Sequence, residues 1–183
     1  MVIQIDTRDK PQAITHIVEE FDRQGIKHFR SKVFVGDYVS LDNPRLAIDR
    51  KKDINELCSN VSSSKKEHER FRNELIRARK YGIKLVILCE NEVGIRKLED
   101  VHKWFNPRRE ESIYNPYIGK DLVIKTRSPS GKILQKSLTT MQERYGCLFL
   151  FCSKEEMGKK IIEILSGGSG DDSSRNKTTI QND

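Results

Sequence analysis

The sequence predicts one α/β domain with a central mixed β-sheet flanked by helices. Up to residue 165, short β-rich runs alternate with segments of helical periodicity, which is the pattern of α/β domains. Two runs, residues 84–90 and 146–152, are almost entirely apolar, as expected of strands that are buried on both faces. A chain of 183 residues is long enough for one domain with its own core and leaves little room for a second.

The N-terminal part is predicted to contain a strand, a helix and a hairpin. Apolar residues repeat at helical spacing before Gly25, and glycine commonly ends a helix. The turn sequence Asp42-Asn43-Pro44 separates two β-rich runs, so we expect these runs to pair as a hairpin. The predicted ranges are a strand at residues 2–6, a helix at 11–24 and strands at 33–41 and 46–51.

Three further helices are predicted from capping boxes, in which two side chains three residues apart satisfy backbone N–H groups at the start of a helix. The pairs are Asp53 with Glu56, Ser64 with Glu67, and Ser153 with Glu156. We expect the second of these helices to run to Tyr81 and the third to Leu165. The pattern is weakest over residues 106–136, where residues 122–126 and 132–136 are predicted to pair as a hairpin.

The charge of the chain favours a polyanionic partner. Lys and Arg number 34 against 27 Asp and Glu, which gives a net charge of +7. Residues 166–183 have too little apolar surface to fold and are predicted to be a disordered polar tail. Two basic and three acidic residues lie in this tail, so residues 1–165 carry +8. Nucleic acid is a suitable partner for such a domain, although the charge can also serve solubility alone.

Other features limit the class of protein. No apolar run approaches the roughly 18 residues that a membrane helix requires, and the N-terminus lacks the apolar segment of a secretion signal. We therefore expect an intracellular, cytoplasmic protein that has no membrane partner and no nucleotide cofactor. Cys89, Cys147 and Cys152 lie in apolar runs, where reduced thiols behave as small core residues. The Cys and His residues do not have the spacing of zinc ligands.

The residues that suggest chemistry lie at the ends of the two hairpin strands. Residues two apart in a strand project to the same side, so Asp49 and Lys51 face one way and Arg50 faces the other. Asp37 can approach Asp49 and Lys51 from the neighbouring strand, and Asp6 at the end of the first strand can join them. Such a group suits phosphodiester hydrolysis.

Each part of such a group has a chemical purpose. Carboxylates bind Mg²⁺ or Mn²⁺, and the metal neutralises charge on the phosphate and lowers the pKa of a bound water. A lysine can orient or help deprotonate that water and can stabilise the pentavalent phosphorus. From the spacing alone, a solvated hairpin with surface ion pairs remains a second interpretation.

These residues resemble a known family, the XPF and archaeal Hef nuclease domains. The family has an Asp-x-Arg-Glu element, then a Gly-Asp pair, then a Glu-Arg-Lys-x-x-x-Asp motif on successive strands. Asp6-Thr7-Arg8-Asp9, Gly36-Asp37 and Asp49-Arg50-Lys51 resemble them in order and separation, Arg70-Phe71 resembles an Arg-Phe pair in a helix, and Glu90 ends a buried strand. The likeness covers residues 2–165.

The resemblance implies a restriction-endonuclease-like nuclease core, here an XPF-type nuclease domain over residues 1–165. It implies the following roles: Asp6, Asp37 and Asp49 hold the metal, Lys51 acts on the water, and Arg8 and Arg50 organise the site. Glu90 and Glu56 are additional candidates, and Glu56 is also the predicted capping partner of Asp53. Asp9 and Asp49 stand where the family has Glu, and Asn55 stands where it has Asp. We therefore expect a compact, phage- or prophage-like member without the tandem helix-hairpin-helix domain of longer members.

The predicted function is that of a Mg²⁺- or Mn²⁺-dependent endonuclease for DNA repair or recombination. The resemblance implies that it cuts one strand of branched DNA, such as a flap, a fork or a junction. The basic residues predicted to contact DNA are Arg70, Arg108, Arg109, Lys125 and Arg127. Two alternatives stay open: a catalytically silent DNA-binding or scaffold protein of the same fold, and a Holliday junction resolvase-like nuclease. Replacing Asp37 or Lys51 is expected to keep folding largely intact, because charges at a strand edge add little stability.

The C-terminal helix is predicted to take part in a homodimer. Met157, Ile161, Ile164 and Leu165 follow helical spacing and form an apolar stripe. The stripe can cover the sheet of its own domain, but domains of the resembled family pair through this region. We therefore expect the stripe to lie in the dimer interface.

Overall fold

The computed structural model describes residues 1–62, 65–91, 94–125 and 128–167, which contain eight β-strands and five α-helices. The strands are β1 (Val2–Ile5), β2 (Lys27–Arg30), β3 (Tyr38–Ser40), β4 (Asn43–Lys51), β5 (Lys84–Glu90), β6 (Glu110–Asn115), β7 (Lys120–Lys125) and β8 (Leu148–Cys152). The helices are α1 (Thr15–Arg23), α2 (Ile54–Ser62), α3 (Lys65–Lys80), α4 (Gly131–Tyr145) and α5 (Met157–Leu165).

Six strands form one mixed sheet in the order β2-β1-β3-β4-β5-β8. The pairs β1–β3 and β3–β4 are antiparallel, and the other three pairs are parallel. The sheet has a core on each face: α2, α3 and α4 cover one side, and α1 and α5 cover the other. The prediction of an α/β domain with a mixed central sheet flanked by helices is therefore confirmed.

In the hairpin of β3 and β4, β3 is shorter than the sequence predicts. β4 spans its full predicted length, but the first predicted strand is extended only at Tyr38–Ser40. Residues 33–37 form a loop that contains Gly36 at φ +75°. A Cβ on Gly36 would lie 2.7 Å from the Ile48 carbonyl oxygen, so the loop packs against β4 where only glycine fits.

The predicted hairpin of residues 122–126 and 132–136 is wrong. β7 pairs with β6 instead, and residues 131–145 form α4. The Ser130 side chain accepts the Ile133 N–H at the start of this helix, and Leu134 and Leu138 face the core. The helical spacing of these leucines favours a helix over the alternation of a strand.

Other predicted elements are confirmed with changed boundaries. The first helix begins with a 3-10 turn at Pro11–Ala13 before α1, and the last predicted helix begins at Met157. The capping pair of Asp53 and Glu56 is present at α2. Ser64, Arg127 and the predicted tail from residue 168 onwards lie outside the described residues.

The apolar stripe of α5 is buried inside its own chain. Met157, Ile161, Ile164 and Leu165 are at most 6% exposed and pack with α1 and the sheet. Gly158 allows the close approach of the two helices, because a Cβ there would lie 2.6 Å from the Glu20 Cβ. The stripe therefore cannot form the predicted dimer interface without unfolding the helix from its core. Within the described ranges, no helix combines the length and the apolar character needed to cross a membrane.

Candidate active site

Asp37, Asp49 and Lys51 come together at the C-terminal end of β4. The Asp37 N–H donates to the Ile48 carbonyl (2.7 Å), and the Asp37 carboxylate accepts the Arg50 N–H (2.8 Å). Asp49 and Lys51 lie two residues apart in β4 and therefore project to the same side, as the strand alternation predicts. The loop before β3 and the end of β4 thus hold two carboxylates and an ammonium close together where β4 ends.

Asp49 and Lys51 form a buried ion pair. The Lys51 Nζ lies 2.9 Å from one Asp49 carboxylate oxygen and 2.8 Å from the other, and the two residues are 4% and 6% exposed. The Nζ also lies 5.3 Å from the centre of the Phe71 ring. Although burial lowers the pKa of Lys51, the Asp49 carboxylate raises it to a net value above its ordinary one. Lys51 is therefore a positioned ammonium and not a free base.

The Asp37 carboxyl group is buried close to two other carboxylates. Burial raises its pKa well above the ordinary value of a carboxyl group, and the nearby carboxylates of Asp49 and Asp9 raise it further. Burial and the charge of Asp49 also raise the pKa of Asp9, whose carboxylate accepts the Tyr38 hydroxyl (3.3 Å). The site therefore favours the binding of a cation.

A divalent metal ion fits this donor set. The two Asp49 carboxylate oxygens lie 2.9 Å and 2.8 Å from the Lys51 ammonium, and neither accepts a hydrogen bond from another residue of the described part of the chain. No cluster of three or more Asp, Glu, His or Cys side chains with metal-ligand geometry occurs among the described residues. Mg²⁺ is commonly bound by one or two carboxylates together with water and substrate phosphate. Asp37 and Asp49 suit that mode.

Asp6 accepts hydrogen bonds from the protein on both oxygens, whereas the sequence suggests that it holds a metal ion. Its Oδ1 accepts the backbone N–H (2.7 Å) and Nε (2.9 Å) of Arg8, and its Oδ2 accepts the Arg8 Nη2 and the Val33 N–H (both 2.9 Å). Burial raises the pKa of Asp6, but the hydrogen bonds from Arg8 and Val33 leave it below its ordinary value. With four donors on its two oxygens, Asp6 holds the Arg8 side chain and the loop after β2.

Arg50 and Glu90 form a second buried ion pair on the opposite face. The Arg50 Nε and Nη2 both lie 2.7 Å from Glu90 Oε1, and the two side chains are 8% and 7% exposed. The His16 Nε2 lies 3.5 Å from the same oxygen. Glu90 therefore orients Arg50, whose backbone N–H in turn holds Asp37.

A basic groove of about 590 Å³ opens beside the site. Its charged lining is made of six basic and four acidic residues: Arg8, Lys10, Arg50, Lys52, Arg70 and Arg108, with Asp9, Asp53, Glu56 and Glu67. Glu56 also caps α2 by accepting the Lys52 N–H (3.0 Å). Two of the predicted DNA contacts, Arg70 and Arg108, thus share one surface with the candidate active site.

The other predicted contacts are not brought to this groove. Arg109 ends a 3-10 turn at Pro107–Arg109 and is partly exposed. Lys125 ends β7, and the structure does not describe its side chain.

The family of the chain follows from a match to the ERCC4 domain over residues 5–165. The chain belongs to the ERCC4 domain family. The matched range includes every candidate residue described above, and membership in a family of endonucleases supports a DNA nuclease. No curated protein sequence matches the chain.

Two solved structures of one archaeal protein share the fold. XPF from Aeropyrum pernix in complex with DNA has a TM-score of 0.57 and 13% identity, over 90% of this chain and 63% of that one. XPF from Aeropyrum pernix has a TM-score of 0.55 and 13% identity, over 92% of this chain and 63% of that one. This chain therefore spans less than two thirds of the length of either. At this identity the likeness establishes the fold, which is that of an XPF nuclease domain.

One candidate, Asp9, was not included in the metal set that the sequence suggested. In the structure, the Asp9 carboxylate lies close enough to those of Asp37 and Asp49 for the negative charges to repel one another. The signal was its position as the last residue of Asp6-Thr7-Arg8-Asp9, where the resembled family has a glutamate.

Proposed function

We propose that this protein is a divalent-metal-dependent endonuclease that cuts one strand of branched DNA. The observation that carries the proposal is the group of Asp37, Asp49 and Lys51 at the end of β4, beside the basic groove. The ERCC4 family and a fold neighbour that was solved in complex with DNA support the substrate class. The preference for branched DNA rests on the resemblance to XPF and Hef domains.

The reaction is an in-line attack of water on the scissile phosphorus, in which an O–P bond forms and the bond to the 3′-oxygen breaks. The products are a 5′-phosphate and a 3′-hydroxyl. Asp37 and Asp49 would hold Mg²⁺ or Mn²⁺, which when bound neutralises phosphate charge and lowers the pKa of a bound water. The other contributions come from the side chains around these two carboxylates.

Lys51 acts as a hydrogen-bond donor in this scheme. Its raised pKa keeps it protonated at neutral pH, so it orients the attacking water or stabilises the negative charge that develops on the phosphoryl oxygens. Arg50 is a positioning residue, because its side chain is held by Glu90 while its backbone N–H holds Asp37. Arg8, 59% exposed on its side chain, can contact the phosphate backbone from the groove.

The decisive experiment is cleavage of a labelled fork in the presence of Mn²⁺ or Mg²⁺. We expect the wild type to cut one strand and the Asp37→Ala variant to lose at least 10²-fold in rate, since a metal ligand is removed. Asp22→Ala is a matched control, because it removes the same charge from an exposed side chain on the far end of α1. Undiminished cleavage by Asp37→Ala would contradict the assignment.

The same assay separates the rival functions. A catalytically silent DNA-binding or scaffold protein binds the fork but leaves it intact with either metal. A junction resolvase cuts a four-way junction in preference to a flap or fork. A panel of junction, flap, fork and plain duplex therefore distinguishes all three.

We also propose that the protein acts as a homodimer, with the exposed face of α5 at the interface in place of the buried stripe. The support is the resemblance to a family whose domains pair through this region. Light scattering at micromolar concentration tests it, and a monomer mass for the wild type contradicts it.

A further inference from the structure

An exposed pair of aromatic rings joins the loop that carries Asp37 to the C-terminal end of α3. Phe34 and Tyr81 are 55% and 57% exposed, and their ring centres are 5.1 Å apart at an interplanar angle of 89°. Phe34 is three residues before Asp37, and Tyr81 directly follows α3. Each ring is held by the other, so the pair presents a large aromatic surface that is already ordered.

Cations surround this pair. The Arg77 guanidinium carbon lies 5.5 Å from the centre of the Phe34 ring, and the Lys80 Nζ lies 5.6 Å from that of Tyr81. Within the described ranges, Arg77 has no ion-pair partner, and its Nε has no hydrogen-bond partner. Positive charge combined with an exposed aromatic surface is complementary to a nucleobase and its flanking phosphates.

The pair lies on a continuous face of α3 that begins in the basic groove. Residues on this face follow one another at intervals of three or four: Glu67, Arg70, Glu74, Arg77 and Tyr81. Glu67 and Arg70 line the groove, and Glu74 accepts the Gly36 N–H (2.9 Å) beside Asp37. Seven residues separate Glu74 from Tyr81, which is about 10 Å along the helix.

We propose that Phe34 and Tyr81 form a stacking site for an unpaired DNA base. The role of this site in choosing the substrate rests on the proposed function, but the binding site itself does not. Inside a duplex both faces of a base are covered by its neighbours, so away from duplex ends the rings can stack only on a base that is unpaired. The site thus gives a physical reason for selecting branched over plain duplex DNA.

A structural role is the alternative for the same rings. They join the loop that carries Asp37 to the end of α3, and loss of a ring could loosen that loop. In that case cleavage would fall on every substrate, whereas binding without metal would not depend on an unpaired base. Binding measured in EDTA therefore separates the two roles.

The test uses the full chain in EDTA with a labelled fork and a blunt duplex of the same sequence. Phe34→Leu and Tyr81→Leu remove a ring but keep apolar volume, while Phe34→Tyr and Tyr81→Phe keep the ring and serve as matched controls. We expect each leucine variant to weaken binding of the fork by roughly 5- to 150-fold. Binding of the duplex, and binding by the two controls, should change by less than about twofold.

An abasic scan of the unpaired arm identifies the stacked base. Removing that one base should weaken wild-type binding but should have no further effect on Tyr81→Leu, since the partner ring is already gone. Equal binding of the fork by wild type and both leucine variants would overturn the proposal, as would an equal loss on fork and duplex. If ring-dependent fork binding occurs but no DNA is cut with Mn²⁺, the proposed function fails and the stacking site stands. Thermal melting of each variant checks the fold, and Tyr81→Leu remains decisive if Phe34→Leu melts early.

Discussion

Asp37 is unfavourable for the stability of the metal-free fold. Its carboxyl group is buried next to Asp49 and Asp9, and its pKa is raised well above the ordinary value. A raised carboxyl pKa means that the folded state binds a proton more tightly than the unfolded chain does. The associated stability is full below the unfolded pKa of about 4 and is lost as the pH rises through the folded pKa.

We therefore predict that Asp37→Asn stabilises the metal-free protein at neutral pH. Asparagine keeps the acceptor for the Arg50 N–H and removes the repelling charge, so a gain on the order of 0.5–2 kcal/mol is expected, as at other functional sites. The difference from wild type should grow as the pH rises above about 4 and vanish below it. Urea unfolding across this pH range measures it. A variant that is less stable than wild type at pH 7 would contradict the electrostatic argument.

Lys51 is expected to have the opposite effect on stability. The sequence led to the expectation that its replacement keeps folding largely intact, but Asp49 and Lys51 are only 4% and 6% exposed. Removing one partner of a buried pair leaves an uncompensated charge, which costs about 3–5 kcal/mol. The cause is that α3 places Phe71 over the Lys51 ammonium, a contact that the spacing within β4 does not reveal.

We predict that Lys51→Met loses about 3–5 kcal/mol of unfolding free energy as well as cleavage. The double variant Asp49→Asn, Lys51→Met should recover most of that stability, because neither charge then remains, but should stay inactive. Urea unfolding of the wild type, the single variant and the double variant gives the comparison. Stability of Lys51→Met equal to wild type would show that the pair is not buried in solution.

The secondary-structure elements that the sequence predicted correctly are those whose apolar pattern is regular. β5 is confirmed within its predicted bounds because its residues are buried on both faces. β2 was missed because it lies at the edge of the sheet and carries the polar sequence KHFR, which has no apolar alternation. Residues 132–136, at the start of α4, were predicted to be a strand because the preceding Ser-Pro-Ser-Gly resembles a hairpin turn. Only the spacing of Leu134 and Leu138 indicates the helix.

The packing of α5 on α1 leads to a prediction about Ile161. This side chain is fully buried between the helices and the sheet, so Ile161→Glu places an unpaired carboxylate in the core. We expect it to lose on the order of 4 kcal/mol and to melt far below wild type, whatever its oligomeric state. Glu19→Ala, at an exposed position of α1, is the control and should change stability by less than about 0.5 kcal/mol. If Ile161→Glu kept the wild-type melting temperature but no longer dimerised, the buried stripe would have to be part of the dimer interface.

At the scale of the whole molecule, the sheet brings together residues that are far apart in sequence. Asp9, Asp37 and Asp49 meet because β1 and β4 both flank β3. Their order along the chain and their place at strand ends were visible in the sequence. Which carboxylates face one another depends on how β1 ends and how the loop before β3 turns, and neither leaves a local sequence signal. Asp6 illustrates this, because the loop after β2 occupies its second oxygen.

The structure also shows where part of the net charge of +7 lies. Besides Arg50, which is paired with Glu90, five basic residues line the groove beside the candidate site together with four acidic ones; the five are Arg8, Lys10, Lys52, Arg70 and Arg108. Cations that neutralise phosphates release counterions from DNA, so affinity depends on salt in proportion to the number of contacts. Cations spread evenly over the surface would attract DNA without fixing its position.

We therefore predict that log K for DNA binding falls with log salt concentration at a slope of roughly −3.5 to −4.5, the value for five phosphate contacts. Arg70→Ala should reduce the slope by about one, because it removes a single contact. Arg45→Ala is the matched control: Arg45 is exposed near the other end of β4, about 20 Å from Lys51 along the strand, and its loss should leave the slope unchanged. Fluorescence anisotropy between 50 and 200 mM salt, on the order of physiological strength, measures all three. An equal change of slope in both variants would mean that the charge of the whole surface, and not the groove, binds the DNA.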